Sequence, residues 1–164
     1  MPHSTPLHSA HIQANAKMID FFGWEMPLHY GSQLKEHQNV RQHAGMFDVS
    51  HMGIVDITGP DALRVLRRLA ANDAAKLKED GQALYTCMLN KHGGVLDDLI
   101  IYRLAQQSYR IVWNASRREI NLQWLNKIIQ DDQVKITERT DLAMIAVQGP
   151  KAIELTKTLW PQDI

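Results

Sequence analysis

Apolar and polar side chains alternate through the middle of the chain, and this period of two predicts a series of β-strands. The strands are predicted over residues 51–58, 83–90, 95–103, 108–114, 134–138 and 142–148. Gly93 and Gly94 lie between the second and third of these strands, and they suit the tight turn of a hairpin. We therefore expect mostly antiparallel pairing.

Helical spacing of apolar residues predicts three helices in the part of the chain before residue 130. Ser32 can cap a helix that runs to about Ala44 and is ended by Gly45. Gly59 and Pro60 begin a second helix, with the proline in its first turn.

The third helix is predicted to follow a capping box formed by Ser116 and Glu119. Its expected apolar face consists of Ile120, Trp124, Leu125, Ile128 and Ile129. The order of elements over 51–138 is then strand, helix, three strands, helix, strand, which is close to a ferredoxin-like βαββαβ arrangement. These elements predict an α+β fold.

The N-terminal third shows little periodicity before residue 32. We expect irregular, half-buried chain at 23–30 and a frayed N-terminus that includes His8 and His11.

Residues 57–69, "ITGPDALRVLRRL", echo residues 147–159, "VQGPKAIELTKTL". Each stretch is typical of a strand, a Gly-Pro pair and an amphipathic helix. A common strand-to-helix junction and a true duplication both explain the echo, and either predicts two similar lobes. Trp160 and Pro161 stop the helix of the stretch 147–159 early. We therefore expect the chain to be a truncated piece of a longer protein.

The composition limits the class of function. The chain has 164 residues and a formal net charge of zero, which argues against non-specific binding to nucleic acid or to an acidic membrane. It contains no apolar run of about eighteen residues that could span a membrane. Its first residues show neither the apolar stretch typical of a signal peptide nor the Arg-rich pattern typical of a transit peptide. The single cysteine, Cys87, lies in an alternating run and is predicted to be a packed core thiol in a reducing cytosol.

Most familiar chemical motifs are missing from the sequence. Eight histidines occur without an HExxH or CxxC pattern, so no metal site is predicted, and no GxGxxG, P-loop or GxSxG motif is present. Ser50 and His51 are neighbours whose side chains diverge in a strand, so nucleophilic catalysis by this pair is not expected. The three arginines of the second helix are expected to be a solvated face or, alternatively, a docking site for an acidic protein: Arg64, Arg67 and Arg68.

Asp97 and Asp98 lie side by side in the apolar run "GGVLDDLIIY". Strand alternation places them on opposite faces, so at least one faces a dry environment unless the strand is a bare edge. One possibility is purely structural pairing. The other is that one carboxylate, which only accepts hydrogen bonds, lines a cavity for a nitrogen-containing ligand, with Tyr85 across the hairpin as an aromatic wall.

Several irregular motifs occur in order along the chain. They are "TPL" (5–7), "GWEMPLHY" (23–30), "GMFDVSHMG" (45–53), "GP" (59–60), "NKHGGVLDDLI" (90–100), "WNAS" (113–116) and "QGPKA" (148–152). Together they resemble the aminomethyltransferase of the glycine cleavage system, the T-protein, over essentially the whole chain.

The resemblance implies the folate-binding T-protein fold, with this chain as the N-terminal half of a longer family protein. Residues 51–138 would form the ferredoxin-like lobe. Residues 1–50 with 139–164 would form part of a first folate-binding lobe, incomplete because the C-terminal half is absent.

The resemblance also implies an enzyme that receives an aminomethyl group from the lipoyl arm of the H-protein. It would release ammonia and pass the one-carbon unit to tetrahydrofolate, giving 5,10-methylenetetrahydrofolate. Lipoylated H-protein would be the partner, with no nucleic acid or membrane involved, and the location would be the bacterial cytoplasm. The oligomeric state is not predicted. Because further folate contacts of the family come from beyond residue 164, we expect little activity from this chain alone.

Asp98 is the catalytic residue that the resemblance implies, with Asp97 as its outward partner. Asp98 would hydrogen-bond the reacting nitrogens of the folate and favour their attack on the methylene carbon. Met52, Tyr85 and Asn114 would border the folate: Met52 by packing, and Asn114 by donating to or accepting from the pterin. Trp113 departs from the small aliphatic residue usual in the family, and alternation predicts that it packs away from the site.

Three other interpretations remain open at this point. The chain could be a non-catalytic folate-binding relative that serves iron–sulfur cluster assembly. It could correspond to the folate-binding part of sarcosine or dimethylglycine dehydrogenases, although "TPL" so close to Met1 argues against this. It could also be a structural module in which the aspartates are only paired.

Overall fold

The computed structural model describes residues 2–160, which form ten strands and five α-helices. In chain order these are β1 (His3–Ser4), α1 (His8–Gln13), β2 (Lys17–Phe21), β3 (Trp24–His29), α2 (Gln33–Gln42), β4 (Gly45–Asp48), β5 (Gly53–Thr58), α3 (Ala62–Leu69), β6 (Ala83–Leu89), β7 (Val95–Ala105), β8 (Ser108–Trp113), α4 (Arg118–Ile128), β9 (Lys135–Glu138), β10 (Ile145–Gln148) and α5 (Ala152–Leu159). Pro161, expected to stop the last helix, lies outside the described residues.

The chain divides into two compact units. Unit 1 comprises Met1–His51 and Ala143–Ile164, and unit 2 comprises Met52–Leu142. The sequence places the corresponding boundaries at 50/51 and 138/139, and the ferredoxin-like order of elements falls within unit 2.

Unit 2 is a two-layer arrangement of one sheet and two helices. Its five strands lie in the order β6-β7-β8-β5-β9, and every neighbouring pair is antiparallel. Helices α3 and α4 pack on one face, where their apolar side chains join those of the sheet in a single core. We call the other face, which these helices leave uncovered, the helix-free face.

Helix α4 differs from its prediction at its start and at one residue of its buried face. Ser116 lies in a short 3-10 turn, Ala115–Arg117, and the helix begins at Arg118 without a side-chain cap, so the capping box is wrong. Ile120 is exposed, whereas Asn121 is fully buried together with Leu125. The expected face is confirmed at Leu125, which is buried, and at Trp124, Ile128 and Ile129, which pack against the core. It is wrong only at Ile120, because the buried position in that turn is taken by the Asn121 amide.

The two echoed stretches share one backbone conformation. Gly59 and Gly149 both have a left-handed φ, +128° and +123°, and each carbonyl accepts from the backbone N–H three residues later. A Cβ at Gly149 would come within 2.5 Å of the His43 carbonyl oxygen. The junction therefore recurs, but the units differ, since unit 1 has a three-stranded and a two-stranded sheet.

Unit 1 is more regular at its N-terminus than the sequence suggests. The stretch at 23–30, expected to be irregular, contains β3, which pairs with β2 in a hairpin. His11 lies in helix α1 rather than in a frayed end, and its Nε2 is 2.9 Å from the buried carboxylate of Asp48. Asp48 also accepts from the Thr5 hydroxyl, and these hydrogen bonds hold the pKa of Asp48 below its usual value although burial alone would raise it.

Candidate functional site

The two adjacent aspartates of β7 lie on opposite faces of the five-stranded sheet, which confirms the alternation. Asp97 shares the core face with Leu99 and Ile101 and is only 7% exposed. Asp98 is exposed on the helix-free face. The prediction that Asp97 points outward is therefore wrong, because α4 covers the face on which it lies.

Asp97 is a buried carboxylate with partners for both oxygens. Its Oδ1 accepts from Asn114 Nδ2 at 2.8 Å. Its Oδ2 accepts from Asn121 Nδ2 at 2.6 Å and from the Asn114 backbone N–H at 3.3 Å. A buried charge is tolerated when it is hydrogen-bonded in this way, so the three amide donors explain how Asp97 can lie among apolar side chains.

Asp98 accepts hydrogen bonds from two of the other residues predicted for the site. Tyr85 donates its hydroxyl to Oδ2 at 2.9 Å, and Asn114 Nδ2 donates to Oδ1 at 3.0 Å. The hydrogen bond to Asp98, together with its negative charge, raises the pKa of Tyr85 above its usual value of about 10. Tyr85 is therefore a protonated donor at neutral pH.

Met52, the fourth predicted residue, is placed at the same end of the sheet by strand register. Gly53 pairs with Trp113, so Met52 lies across from Asn114 just beyond the paired residues. Met52 is half-buried. The backbone thus brings Met52 alongside the polar group, and the side-chain hydrogen bonds link the other three predicted residues.

An apolar row crosses the sheet beside the polar group. Tyr85 pairs with Ile100, Ile100 with Val112, and Val112 with Ile54. The Tyr85 ring is 67% exposed on this face and Ile100 is half-buried, whereas Val112 and Ile54 are each only 5% exposed. The accessible surface beside Asp98 is therefore the Tyr85 ring with part of Ile100. A carboxylate beside an exposed aromatic ring can bind a flat, nitrogen-containing ring by both its edge and its face.

Two residues at this site are not those that sequence reasoning selected. Cys87 lies directly opposite Asp98 and is half-buried on the helix-free face, so the core-thiol prediction is wrong. Its neighbours Thr86 and Met88 take the core face instead, which the alternation along β6 could have indicated. Asn121 was missed because a polar residue in a helix is normally assigned to solvent.

The remaining candidates have other roles. The Ser50 hydroxyl bonds the backbone of Met144, and burial lowers the pKa of His51. The three arginines of α3 are exposed and form ion pairs with Asp61, Asp73 and Asp132. Among residues 2–160, no cluster of three His, Cys, Asp or Glu side chains could hold a metal ion. No helix in the described part of the chain is long and apolar enough to cross a membrane.

Comparison with known proteins shows what the chain resembles. The model of the GCVT N-terminal domain matches residues 7–164. An aminomethyltransferase from Francisella philomiragia is 55% identical over 153 residues, covering 93% of this chain and 42% of the relative. One from Francisella tularensis subsp. holarctica is 54% identical over 160 residues, covering 98% of this chain and 44% of the relative. The chain therefore spans less than half the length of these relatives.

The fold agrees with that of a solved structure. The crystal structure of the glycine cleavage system aminomethyltransferase T from Bartonella henselae superposes with a TM-score of 0.90 at 37% identity. The match covers 96% of this chain and 44% of the other. This confirms the predicted α+β fold of the T-protein type. The chain belongs to the GCVT N-terminal domain family, that of the glycine cleavage aminomethyltransferase, the T-protein.

Proposed function

We propose that this chain carries the tetrahydrofolate-binding face of an aminomethyltransferase, with Asp98 as its catalytic residue. The reaction takes the aminomethyl group from the lipoyl arm of H-protein. The observation that supports this most directly is the exposed Asp98 carboxylate, oriented by hydrogen bonds from Asn114 and from Tyr85, whose ring is itself exposed.

The transfer balances without an oxidant or a reductant. The C–N bond to ammonia and the C–S bond to the lipoyl arm break, and two C–N bonds to N5 and N10 of the folate form. The protons from N5 and N10 leave with the ammonia and the lipoyl thiol. Asp98 accepts a hydrogen bond from a reacting N–H, which orients the nitrogen lone pair toward the methylene carbon.

Met52, Tyr85 and Asn114 border the folate in this proposal. Tyr85 and Met52 pack against the ring system, and Asn114 contacts its polar edge. Lipoylated H-protein is the partner that delivers the one-carbon unit, and the proposed location is the bacterial cytoplasm. Because the three arginines of α3 already have acidic partners, they are not assigned to H-protein docking.

The test is a titration of tetrahydrofolate against the ¹⁵N-labelled chain, followed by NMR because this method detects millimolar affinity. We expect shifts at the helix-free face and a dissociation constant at least about tenfold higher in Asp98→Asn, since a hydrogen bond to a charged group contributes roughly 1.5–3 kcal/mol. Asp131→Asn, which alters an exposed carboxylate after α4, should bind like the unmodified chain.

Two outcomes would contradict the proposal. If Asp97→Asn abolishes binding while Asp98→Asn leaves it unchanged, the assignment of the catalytic carboxylate fails. If neither substitution changes binding, the aspartates serve only to stabilise the sheet. A full-length protein that binds tetrahydrofolate but forms no 5,10-methylenetetrahydrofolate would instead be a non-catalytic folate-binding relative.

A further inference from the structure

A fully buried asparagine lies behind the site and is connected to it through Asp97. Asn121 is on helix α4, and its Nδ2 donates to Asp97 at 2.6 Å. Asp97 in turn accepts from the side chain of Asn114, which also donates to Asp98. A continuous row of hydrogen bonds therefore runs from the interior of unit 2 to the exposed carboxylate.

The two carboxylates determine which way the Asn114 amide points. Ionised carboxylates only accept hydrogen bonds, so the group between Asp97 and Asp98 must be the NH₂ of Asn114. One hydrogen is directed to Asp97 Oδ1 at 2.8 Å and the other to Asp98 Oδ1 at 3.0 Å. Both amide hydrogens are thereby used, and the Asn114 oxygen is the group left to contact a ligand.

The local backbone leaves Asn114 free for this task. It stands at the N-terminal boundary of the 3-10 turn Ala115–Arg117, where an asparagine side chain would normally cap the turn. Here the side chain makes no cap bond, and only the Asn114 carbonyl accepts from the backbone N–H of Arg117. The interaction with the aspartates has displaced the usual capping interaction.

Asn121 is a poor choice for packing alone. Its side chain is fully buried, and its Oδ1 has no hydrogen-bond partner in the described part of the chain. An apolar residue of similar size would avoid burying that unpaired oxygen. What an apolar residue cannot do is donate to Asp97.

We propose that Asn121 is a positioning residue: through Asp97 it holds the Asn114 amide with its NH₂ group toward the aspartates, so that the site presents an acceptor and selects ligands with an N–H donor there. The inference rests on the proposed function only in taking tetrahydrofolate as the ligand. It resolves the open question of whether Asn114 donates or accepts in favour of acceptance.

The first test is independent of any ligand. In ¹H–¹⁵N spectra of the 164-residue chain, the Asn114 side-chain resonances are identified by their loss in Asn114→Ala. We expect their hydrogen exchange to be at least about tenfold slower than that of the exposed Asn126 on the same helix, because both hydrogens are bonded. Asn121→Leu should remove this protection, whereas Asn126→Leu should leave it unchanged.

The second test adds tetrahydrofolate. We expect its dissociation constant to rise about tenfold in Asn121→Leu and to stay unchanged in Asn126→Leu, since an amide that rotates leaves a polar ligand group unpaired. If Asn121→Leu does not fold, Asn121→Ala gives the same two measurements with no added bulk. Retained protection of Asn114 in a folded Asn121 variant overturns the inference. Absence of tetrahydrofolate binding in the unmodified chain overturns the proposed function instead, and the exchange measurement still decides the role of Asn121.

Discussion

At the scale of single residues, the pair formed by Tyr85 and Asp98 determines what the site can offer a ligand. The Tyr85 hydroxyl uses its only proton on Asp98 Oδ2, so the phenol orients the carboxylate and does not compete with a ligand for protons. Asp98 keeps lone pairs on both oxygens, because each carboxylate oxygen can accept more than one hydrogen bond.

This pair makes a direct prediction for the titration of Tyr85. The hydrogen bond to Asp98 and its negative charge raise the pKa of Tyr85, since ionising the phenol breaks the bond and creates a second negative charge. We expect Asp98→Asn to return that pKa toward about 10. The measurement is the absorbance of tyrosinate against pH, with Tyr85→Phe to identify the contribution of Tyr85 among four tyrosines.

The control for this titration is Asp131→Asn, which should leave the curve unchanged. Identical curves for the unmodified chain and Asp98→Asn would show that Tyr85 does not bond Asp98 in solution.

The sequence could predict that Asp97 and Asp98 diverge, but not which one faces outward. Alternation is a property of one strand, whereas the outward side depends on where α4 packs. The sequence predicted the covering helix and most of its apolar face, but not that Asn121 is buried in it, and Asn121 is the residue that contacts Asp97. Tertiary hydrogen bonds of this kind leave no periodic signal.

At the scale of elements, the pairing of β5 with β8 explains how a large indole fits under the site. Trp113 is fully buried on the core face, which confirms that it packs away from the proposed ligand. It pairs with Gly53, and a Cβ at Gly53 would overlap the Nε1 and Cδ1 atoms of its ring. The missing side chain of one strand therefore makes room for the tryptophan of the next.

We expect Gly53→Ala to destabilise the chain by about 3 kcal/mol, because overpacking a well-packed core typically costs 1–3 kcal/mol and the overlapped Trp113 ring is fully buried. Gly81→Ala is the matched control. It meets no atom within 4 Å, so it should cost only about 1 kcal/mol for its left-handed backbone. Urea unfolding followed by circular dichroism measures both. Equal losses for the two variants would contradict the steric argument.

The elements of unit 2 were predictable because hydrophobic alternation and turn glycines both favour the observed strands. Unit 1 was less predictable. Strand β3 contains Pro27 and the polar residues Glu25 and His29, so its pattern is weak, and its partners are the short β1 and β2. Strand β4 pairs with β10, almost a hundred residues later in the chain, and no local signal reports such a distant partner.

At the scale of the whole molecule, the chain carries the four proposed site residues but spans less than half the length of its relatives. In unit 1, helix α5 buries Ala152 but leaves Ile153, Leu155 and Leu159 exposed. The proposed site lies within unit 2, which contains Asp98, Met52, Tyr85 and Asn114.

We expect the isolated 164-residue chain to form 5,10-methylenetetrahydrofolate from aminomethyl-lipoyl H-protein at less than about 1% of the rate of the full-length Francisella tularensis aminomethyltransferase assayed beside it. The resemblance implies further folate contacts from beyond residue 164, and the loss of any two, each contributing roughly 1–3 kcal/mol, is enough for a loss of about a hundredfold. The amide spectrum of the same sample shows whether the chain is folded. Turnover within about tenfold of the full-length enzyme would mean that the face around Asp98 suffices for catalysis and that the remaining length of the relatives serves another purpose.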